Sequence, residues 1–282
     1  MFANHETLKG KTAIVTGGGG ILCGEMARAL GRQGVKVVVL SRKLENAQAV
    51  ADDITRENGE AIAFACDVLD KKDIEQVNEQ IQKIYPVYDI LINGAGGNHP
   101  NASTSEEAFD WEDVENPEKN SFFDLEETAI RHVFDLNFTG AVLSTQVFMK
   151  HMFSEKGSSV INISSMSAPS PMTKVMSYSA AKAGIDNFTQ WLAVHMAKQN
   201  IRCNAIAPGF FLTNQNRKLL LTEEGELTER SQKIMSQTPM ETFGEPEDLI
   251  GTLLWLVDPA YSSFVTGITV PVDGGFMAYS GV

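Results

Sequence analysis

Short apolar runs alternate with longer amphipathic stretches along most of the chain. Several runs are apolar throughout and rich in β-branched residues, which is typical of strands buried on both faces of a sheet. The stretches between them are long enough for the helical crossovers that parallel strands require. The pattern therefore predicts an α/β fold, a doubly wound parallel sheet of about seven strands with a ligand crevice at their carboxyl ends. The predicted strands are residues 12–16, 35–40, 61–65, 88–93, 158–164, 201–207 and 267–273.

Two polar connections, 97–123 and 209–244, are long for a compact domain. Each leaves the carboxyl side of the strand before it. We interpret 97–123 as an inserted cover segment and 209–244 as a substrate lid; surface decoration or an oligomer contact is the alternative. A length of 282 residues, 43% of them apolar, favours one domain, residues 1–282, over two small ones.

The net charge indicates which kind of molecule the protein binds, and the cysteine content indicates its cellular compartment. A formal net charge of −13 opposes broad contact with nucleic acid or an anionic membrane, so a small molecule is the expected partner. Cys23, Cys66 and Cys203 form no close pair suited to a metal or redox motif, which indicates buried thiols in a reducing compartment and no metal site. The N-terminus lacks a signal-peptide core, and no run of eighteen apolar residues occurs. We therefore predict a cytoplasmic protein.

A glycine cluster lies directly between the first predicted strand and the helix after it. Glycines there let backbone N–H groups approach a pyrophosphate at the positive end of a helix, although glycine-rich turns also simply connect strands to helices. The position after the first strand favours a Rossmann-type dinucleotide site. The residues expected to hold the cofactor here are Gly17, Gly19, Gly20 and Leu22.

Further candidate cofactor residues follow the third and fourth predicted strands, where an adenine and its ribose would lie. They are Asp67, Val68, Asn93, Ala95 and Gly96. After the second strand, an acidic residue would bind a free ribose 2′-hydroxyl, but the chain has Ser41 and Arg42. A guanidinium suits a 2′-phosphate, so NADP(H) is slightly favoured and NAD(H) is the alternative.

Tyr178 and Lys182 occur in the string YSAAKAG, within a predicted helix over 176–199. Residues four apart lie on the same helix face. A cation about 4 Å from the phenol contributes on the order of 4 kcal/mol at an effective dielectric of 20. Such an interaction could lower the tyrosine pKa by as much as three units, to near 7, where acid–base catalysis is efficient. The alternative is that the two side chains merely share a face.

Two polar residues favour the catalytic interpretation. Ser165 ends the fifth predicted strand, where its hydroxyl could donate to a substrate carbonyl oxygen. Asn137 lies in a predicted helix that it does not help to form, which indicates a polar task such as holding a water in a proton relay.

Together the strings TGGGG, CDV, NGAG, INISS, YSAAK and NAIAPGFFLT, with Asn137, resemble the short-chain dehydrogenase/reductase family over essentially the whole chain. The resemblance implies that Tyr178 is the acid–base residue, that Lys182 holds the nicotinamide ribose and lowers the tyrosine pKa, that Ser165 polarises the carbonyl and that Asn137 orders a relay water. It also implies nicotinamide contacts from Pro208, Gly209 and Thr213, and a homotetramer with 262–276 between subunits.

The glycine cluster departs from the family pattern T-G-x-x-x-G-x-G. Counted from Thr16 and Gly17, the two later glycine positions hold Ile21 and Cys23. Either the additional glycines at 18, 19 and 20 compensate, or the phosphate loop has a different shape.

The strings NGAGGNHPNAST, FFDLEE and APGFFLTNQNRKLL resemble the D-mannonate oxidoreductase, or fructuronate reductase, branch. The resemblance implies an NAD(P)-dependent enzyme for a sugar-acid ketone and its alcohol. Gluconate 5-dehydrogenase and 3-oxoacyl reductase are alternatives within the family, and a non-catalytic NADP-binding sensor is one outside it. For the substrate we expect contacts from Ser165, Tyr178, Asn98 and His99, and from Arg217 as carboxylate partner in preference to Lys218.

Overall fold

Seven parallel strands form one sheet in the order β3-β2-β1-β4-β5-β6-β7. The computed structural model describes residues 4–153, 157–213, 220–222 and 225–281. The strands are β1 (Thr12–Thr16), β2 (Lys36–Ser41), β3 (Glu60–Ala65), β4 (Ile90–Asn93), β5 (Ser158–Ile163), β6 (Ile201–Pro208) and β7 (Thr269–Val272). The doubly wound Rossmann-type sheet predicted from the apolar runs is confirmed.

Helices cover both faces of this sheet, so that β1, β4 and β5 are almost wholly buried. The helices described are α1 (Ile21–Arg32), α2 (Leu44–Arg56), α3 (Lys71–Gln82), α4 (Glu127–Phe134), α5 (Gly140–Phe148), α6 (Met176–Met196), α7 (Glu229–Ser236), α8 (Asp248–Val257) and α9 (Pro259–Ser262). Apolar side chains of α1, α2 and α8 pack on one face. Those of α3, α5 and α6 pack on the other.

The sheet order reverses beside β1, because β2 and β4 flank it on opposite sides. The register pairs Thr16 with Asn93, and Asn93 with Asn162, so the carboxyl ends of β1, β4 and β5 are level. In a doubly wound sheet the crevice at this reversal is where ligands bind. Three residues that the sequence predicts to be functional, Gly17, Ala95 and Ser165, lie one or two positions after these strand ends.

The element bounds differ from the predicted ones by at most three residues, and those of β1 agree. β4 begins at Ile90, two residues later than predicted, although the Asp89 amide already donates to the Thr12 carbonyl oxygen and the Asp89 carbonyl oxygen accepts from the Ser159 amide, both at 2.9 Å. The long helix ends at Met196 and continues as a 3₁₀ turn, Ala197–Gln199, before Asn200 adopts a left-handed conformation. Among the described residues, no helix is both long and apolar enough to cross a membrane.

Candidate active site

The turn between β1 and α1 is shaped for a phosphate. Gly17 has a φ of 67°, and a Cβ at this position would lie 2.6 Å from the Gly94 carbonyl oxygen, so only glycine fits. Gly20 is the N-cap of α1 and supplies no side-chain hydrogen bond to the first turn. The backbone N–H groups at this end of the helix are therefore available to phosphate oxygens, which the helix dipole also favours.

A cavity of about 450 Å³ opens beside this turn, at the carboxyl ends of β1 to β4. Ten of the predicted cofactor residues line it: Gly17, Gly19, Gly20, Leu22, Ser41, Arg42, Asp67, Val68, Ala95 and Gly96. Glycine backbone, a carboxylate, a hydroxyl and a guanidinium are the donors and acceptors that a dinucleotide needs, so the lining fits NAD(P). Sequence reasoning missed several further lining residues: Ile21, Cys23, Leu40, Asn46, Cys66, Leu69, Gly94, Leu136 and Ile163.

Asn93 does not line this cavity. Its side chain is buried and donates to Thr145 Oγ1 and Asn162 Oδ1, both at 2.8 Å. The side chain of the last residue of β4 thus joins the sheet to α5 rather than reaching a ligand.

Pro208, Gly209 and Thr213 also lie outside the lining of this cavity, at and beyond the end of β6. The Pro208 carbonyl oxygen accepts a hydrogen bond from the Met166 amide at 3.1 Å. The predicted nicotinamide side of the site therefore adjoins Ser165.

Lys182 is a buried ammonium one turn after Tyr178 in α6. It is 4% exposed, its Nζ donates to the Ile163 carbonyl oxygen at 2.8 Å, and it lies 5.6 Å from the centroid of the Tyr178 ring. Burial lowers the pKa of Lys182 to about 8. The cation therefore exists near neutral pH but is lost in mildly alkaline solution.

Burial raises the pKa of the Tyr178 phenol, and a hydrogen bond from Ser165 lowers it only in part. The decrease to near 7 predicted from the sequence is therefore wrong for the free protein. Removing the phenolate from water outweighs the attraction of an ammonium that is already engaged with Ile163. At neutral pH Tyr178 carries its proton and is prepared to act as an acid.

Ser165 follows β5 and is 5% exposed. Its Oγ accepts hydrogen bonds from the Ser167 amide at 3.1 Å and the Ser167 hydroxyl at 3.0 Å. These two donors leave the Ser165 proton free to point away from them, towards Tyr178 or a substrate oxygen. Ser167 was not identified from the sequence, and a serine-rich run gives no signal that would single it out.

Asn137 lies in a π-helical turn, Asp135–Thr139, between α4 and α5. Its Nδ2 donates to the Gly97 carbonyl oxygen at 2.6 Å and to the Val133 carbonyl oxygen at 2.8 Å, and its Oδ1 accepts from the Gly97 amide at 3.1 Å. A Cβ on Gly96 would lie 2.7 Å from Asn137 Oδ1 and 3.3 Å from Lys182 Nζ. The segment after β4 is therefore held tightly between two of the predicted catalytic side chains.

The structure describes some of the predicted substrate residues but not all of them. Asn98 Nδ2 donates to Ser103 Oγ at 2.9 Å, and His99 Nδ1 accepts from the Asn101 amide at 3.2 Å. The second contact leaves the His99 Nε2–H as a donor in the neutral ring. Arg217 and Lys218 lie outside the described residues.

The segment 97–123 contacts the loop that leads into α6. Lys174 Nζ donates to the Ser105 carbonyl oxygen at 2.5 Å, and the Thr104 amide donates to the Lys174 carbonyl oxygen at 3.0 Å. Glu107 forms an ion pair with Lys233 of α7. These contacts, which sequence reasoning also missed, join the segment to residues four positions before Tyr178 and to the 209–244 connection.

Comparison with known proteins identifies the family. A model of short chain dehydrogenases matches residues 11–224. This chain belongs to the short-chain dehydrogenase family. It is an NAD(P)-dependent oxidoreductase that acts on CH–OH groups.

Three similar proteins span nearly the whole of this short-chain dehydrogenase. UxuB of Bacillus subtilis (strain 168), an uncharacterised oxidoreductase, is 57% identical over 282 residues, which are 100% of both chains. A Haemophilus influenzae protein provisionally named as a D-mannonate oxidoreductase, solved with bound NAD, is 48% identical with a TM-score of 0.93 over 99% of this chain and 98% of that one. The 5-keto-D-gluconate 5-reductase of Escherichia coli (strain K12) is 28% identical over 96% of this chain and 97% of its own.

The geometry gives each protein group a chemical task. When bound, the nicotinamide ring supplies a hydride to a ketone carbon or accepts one from an alcohol carbon. Tyr178 can give its proton to the ketone oxygen, and the Ser165 hydroxyl can donate a second hydrogen bond to the same oxygen. The Lys182 Nζ, 5.6 Å from the centroid of the Tyr178 ring, is a cation that can stabilise the phenolate that remains.

Replacing Tyr178 with phenylalanine removes only the transferable proton. We expect ketone reduction by Tyr178→Phe to fall about 10²–10⁴-fold, the usual contribution of a general acid, while NAD(P)H affinity measured by fluorescence titration stays within about twofold. Lys182→Ala should lower both the rate of ketone reduction and the affinity for NAD(P)H. Tyr85→Phe is the matched control, because its hydroxyl bonds Glu60 at the amino end of β3, opposite the site. A Tyr178→Phe enzyme that keeps more than about a tenth of the wild-type rate contradicts the assignment.

Proposed function

We propose that this enzyme interconverts D-fructuronate and D-mannonate with a nicotinamide cofactor. The substrate assignment depends on the similarity to the H. influenzae protein, which is 48% identical over almost the entire length of both chains. The pair Ser165 and Tyr178 supports the reaction type, because a neutral phenol beside a donating hydroxyl suits reduction of a ketone.

The catalytic roles we propose are these. Tyr178 protonates the ketone oxygen, Ser165 polarises the carbonyl, and Lys182 holds the nicotinamide ribose as well as stabilising the phenolate. Asn137 fixes the segment after β4 through Gly97 and orders a relay water beside Lys182. The cofactor extends from the cavity beside Gly17 towards Pro208, Gly209 and Thr213.

We also propose that 97–123 and 209–244 cover the substrate. The contact of Ser105 with Lys174 supports this role because it holds 97–123 against the loop before Tyr178, and the contact of Glu107 with Lys233 joins the two segments to each other. Excluding water there strengthens the hydrogen bonds to the ketone oxygen. Asn98 and His99 are proposed to contact the substrate, the latter through its Nε2–H.

For the cofactor we propose a preference for NADP(H). Arg42 is exposed at the rim of the cavity, and the described residues contain no ion pair that would occupy its guanidinium. It is therefore available to a ribose 2′-phosphate. NAD(H) is the alternative, and the NAD bound to the H. influenzae protein supports it.

A homotetramer in the cytoplasm is proposed for the assembly and compartment. Phe264, in the segment 262–276, is fully exposed, and Val194 of α6 is 82% exposed, so each could be covered by a second subunit. An exposed ring cluster on 97–123, which contains Phe109, Trp111 and Phe123, keeps an oligomer contact open as a second role for that segment.

The cofactor preference predicts the effect of removing one guanidinium. We expect Arg42→Ala to lower kcat/KM for NADPH about 10- to 100-fold, the value of a charged hydrogen bond, and to change kcat/KM for NADH less than about threefold. Lys43→Ala, at the exposed neighbouring residue, is the control and should change neither value much. If Arg42→Ala leaves kcat/KM for NADPH unchanged, the 2′-phosphate is not bound by this residue.

The substrate assignment is tested with a panel of ketones under saturating reduced cofactor. We expect kcat/KM for D-fructuronate to exceed that for the uncharged ketose D-fructose by at least about tenfold, since one charged hydrogen bond to the carboxylate contributes that much, and to exceed those for 5-keto-D-gluconate and a 3-oxoacyl thioester as well.

The other outcomes of this panel discriminate between the alternatives. Preference for 5-keto-D-gluconate would favour the activity of the E. coli relative, and preference for the thioester would favour a 3-oxoacyl reductase. Tight binding of the cofactor without turnover of any ketone would favour the non-catalytic sensor.

A further inference from the structure

The side chain of Cys23 occupies the space that a side chain on Gly94 would need. A Cβ on Gly94 would lie 2.2 Å from Cys23 Sγ, well inside contact distance. The thiol is 5% exposed and lines the cofactor cavity. It also donates a weak hydrogen bond to the Gly94 carbonyl oxygen at 3.9 Å. The first turn of α1 and the end of β4 are thus in direct contact through one sulfur atom.

Cys23 is a packing thiol rather than a reactive one. Burial raises its pKa to about 12, so the thiolate that would react with oxidants or alkylating agents is scarce at neutral pH. The thiol therefore acts by filling space between α1 and β4 and not by reacting. Glycine at position 23 would leave a gap between α1 and β4.

The contact continues from Gly94 to the catalytic groups. The amides of Gly94 and Ala95 donate to Thr16 Oγ1 at 3.1 and 3.4 Å, which fixes this segment to the end of β1. Two residues later, Gly96 lies against Asn137 Oδ1 and Lys182 Nζ. We therefore expect a displacement of Gly94 to shift two parts of the site: the lining of the cofactor cavity and the backbone at Gly96, beside Lys182.

We propose that Cys23 and Gly94 are a reciprocal pair that positions the cofactor loop: a side chain is accommodated at one of the two positions only. The chain departs from the glycine pattern of its family at Cys23, and the missing side chain at residue 94 makes room for that departure. Cys23 thereby acts as a positioning residue.

The test is a double-mutant cycle read by NAD(P)H binding to the free protein, without substrate. Gly94→Ala should weaken binding at least about tenfold, because the methyl group overlaps Cys23. The double variant Cys23→Gly/Gly94→Ala should bind more tightly than Gly94→Ala, because the overlap with the Cys23 sulfur is gone. It should stay weaker than Cys23→Gly, because the methyl group still meets the Thr16 carbonyl oxygen at 2.9 Å and this backbone atom must shift.

Gly96→Ala provides the matched control. Its Cβ meets Asn137 and Lys182 rather than Cys23, so adding Cys23→Gly should not restore its binding. Dissociation constants are measured well below the thermal transition of each variant, where a loss of global stability alone does not change the affinity of the folded protein.

Each outcome decides the proposal. Wild-type affinity in Gly94→Ala, or a double variant that binds no better than Gly94→Ala, overturns it. If Gly94→Ala does not fold, circular dichroism of the double variant replaces the binding assay: recovery of a cooperative transition supports the pair, and failure to fold contradicts it.

Discussion

A buried ammonium is the constraint on which the rest of the site depends. Lys182 has lost nearly all contact with water, and its ammonium donates a hydrogen bond to the Ile163 carbonyl oxygen at the end of β5. Such a group is costly to bury, and its pKa falls for that reason. Its neighbours are arranged accordingly: Gly96 leaves room for it, Asn137 holds Gly96 and Gly97 in place, and Tyr178 presents its ring to it.

The same segment connects the two halves of the site. On one side Gly94 packs on Cys23 of the phosphate-binding helix, and on the other Gly96 packs on Lys182. Three consecutive residues after β4 therefore join the proposed cofactor cavity to the proposed catalytic side chains. A sheet whose strands β1, β4 and β5 end at the same level makes this arrangement possible.

Much of the fold could be predicted from the sequence, because apolar runs such as Thr12–Thr16 and Ile201–Pro208 are local signals of buried parallel strands. The glycine turn and the Tyr178–Lys182 spacing are equally local. What could not be predicted depends on contacts distant in sequence. Cys23 and Gly94 are 71 residues apart in the sequence. The pKa of Tyr178 is raised by burial, which the spacing of residues in the sequence does not reveal. Asn93 was at the right strand end, but its side chain bonds Thr145 and Asn162 instead.

If a buried and protonated Lys182 stabilises the Tyr178 phenolate, activity must depend on the charge of Lys182. We would test this through the pH dependence of kcat/KM for the reduced cofactor at saturating ketone. This parameter reports ionisations of the free enzyme. A group with a lowered pKa of about 8 is charged below that pH and neutral above it. We therefore expect a constant kcat/KM up to about pH 7.5 and a fall approaching tenfold per pH unit above about pH 8. A profile that stays level to about pH 10, as for an ordinary exposed lysine, would contradict it.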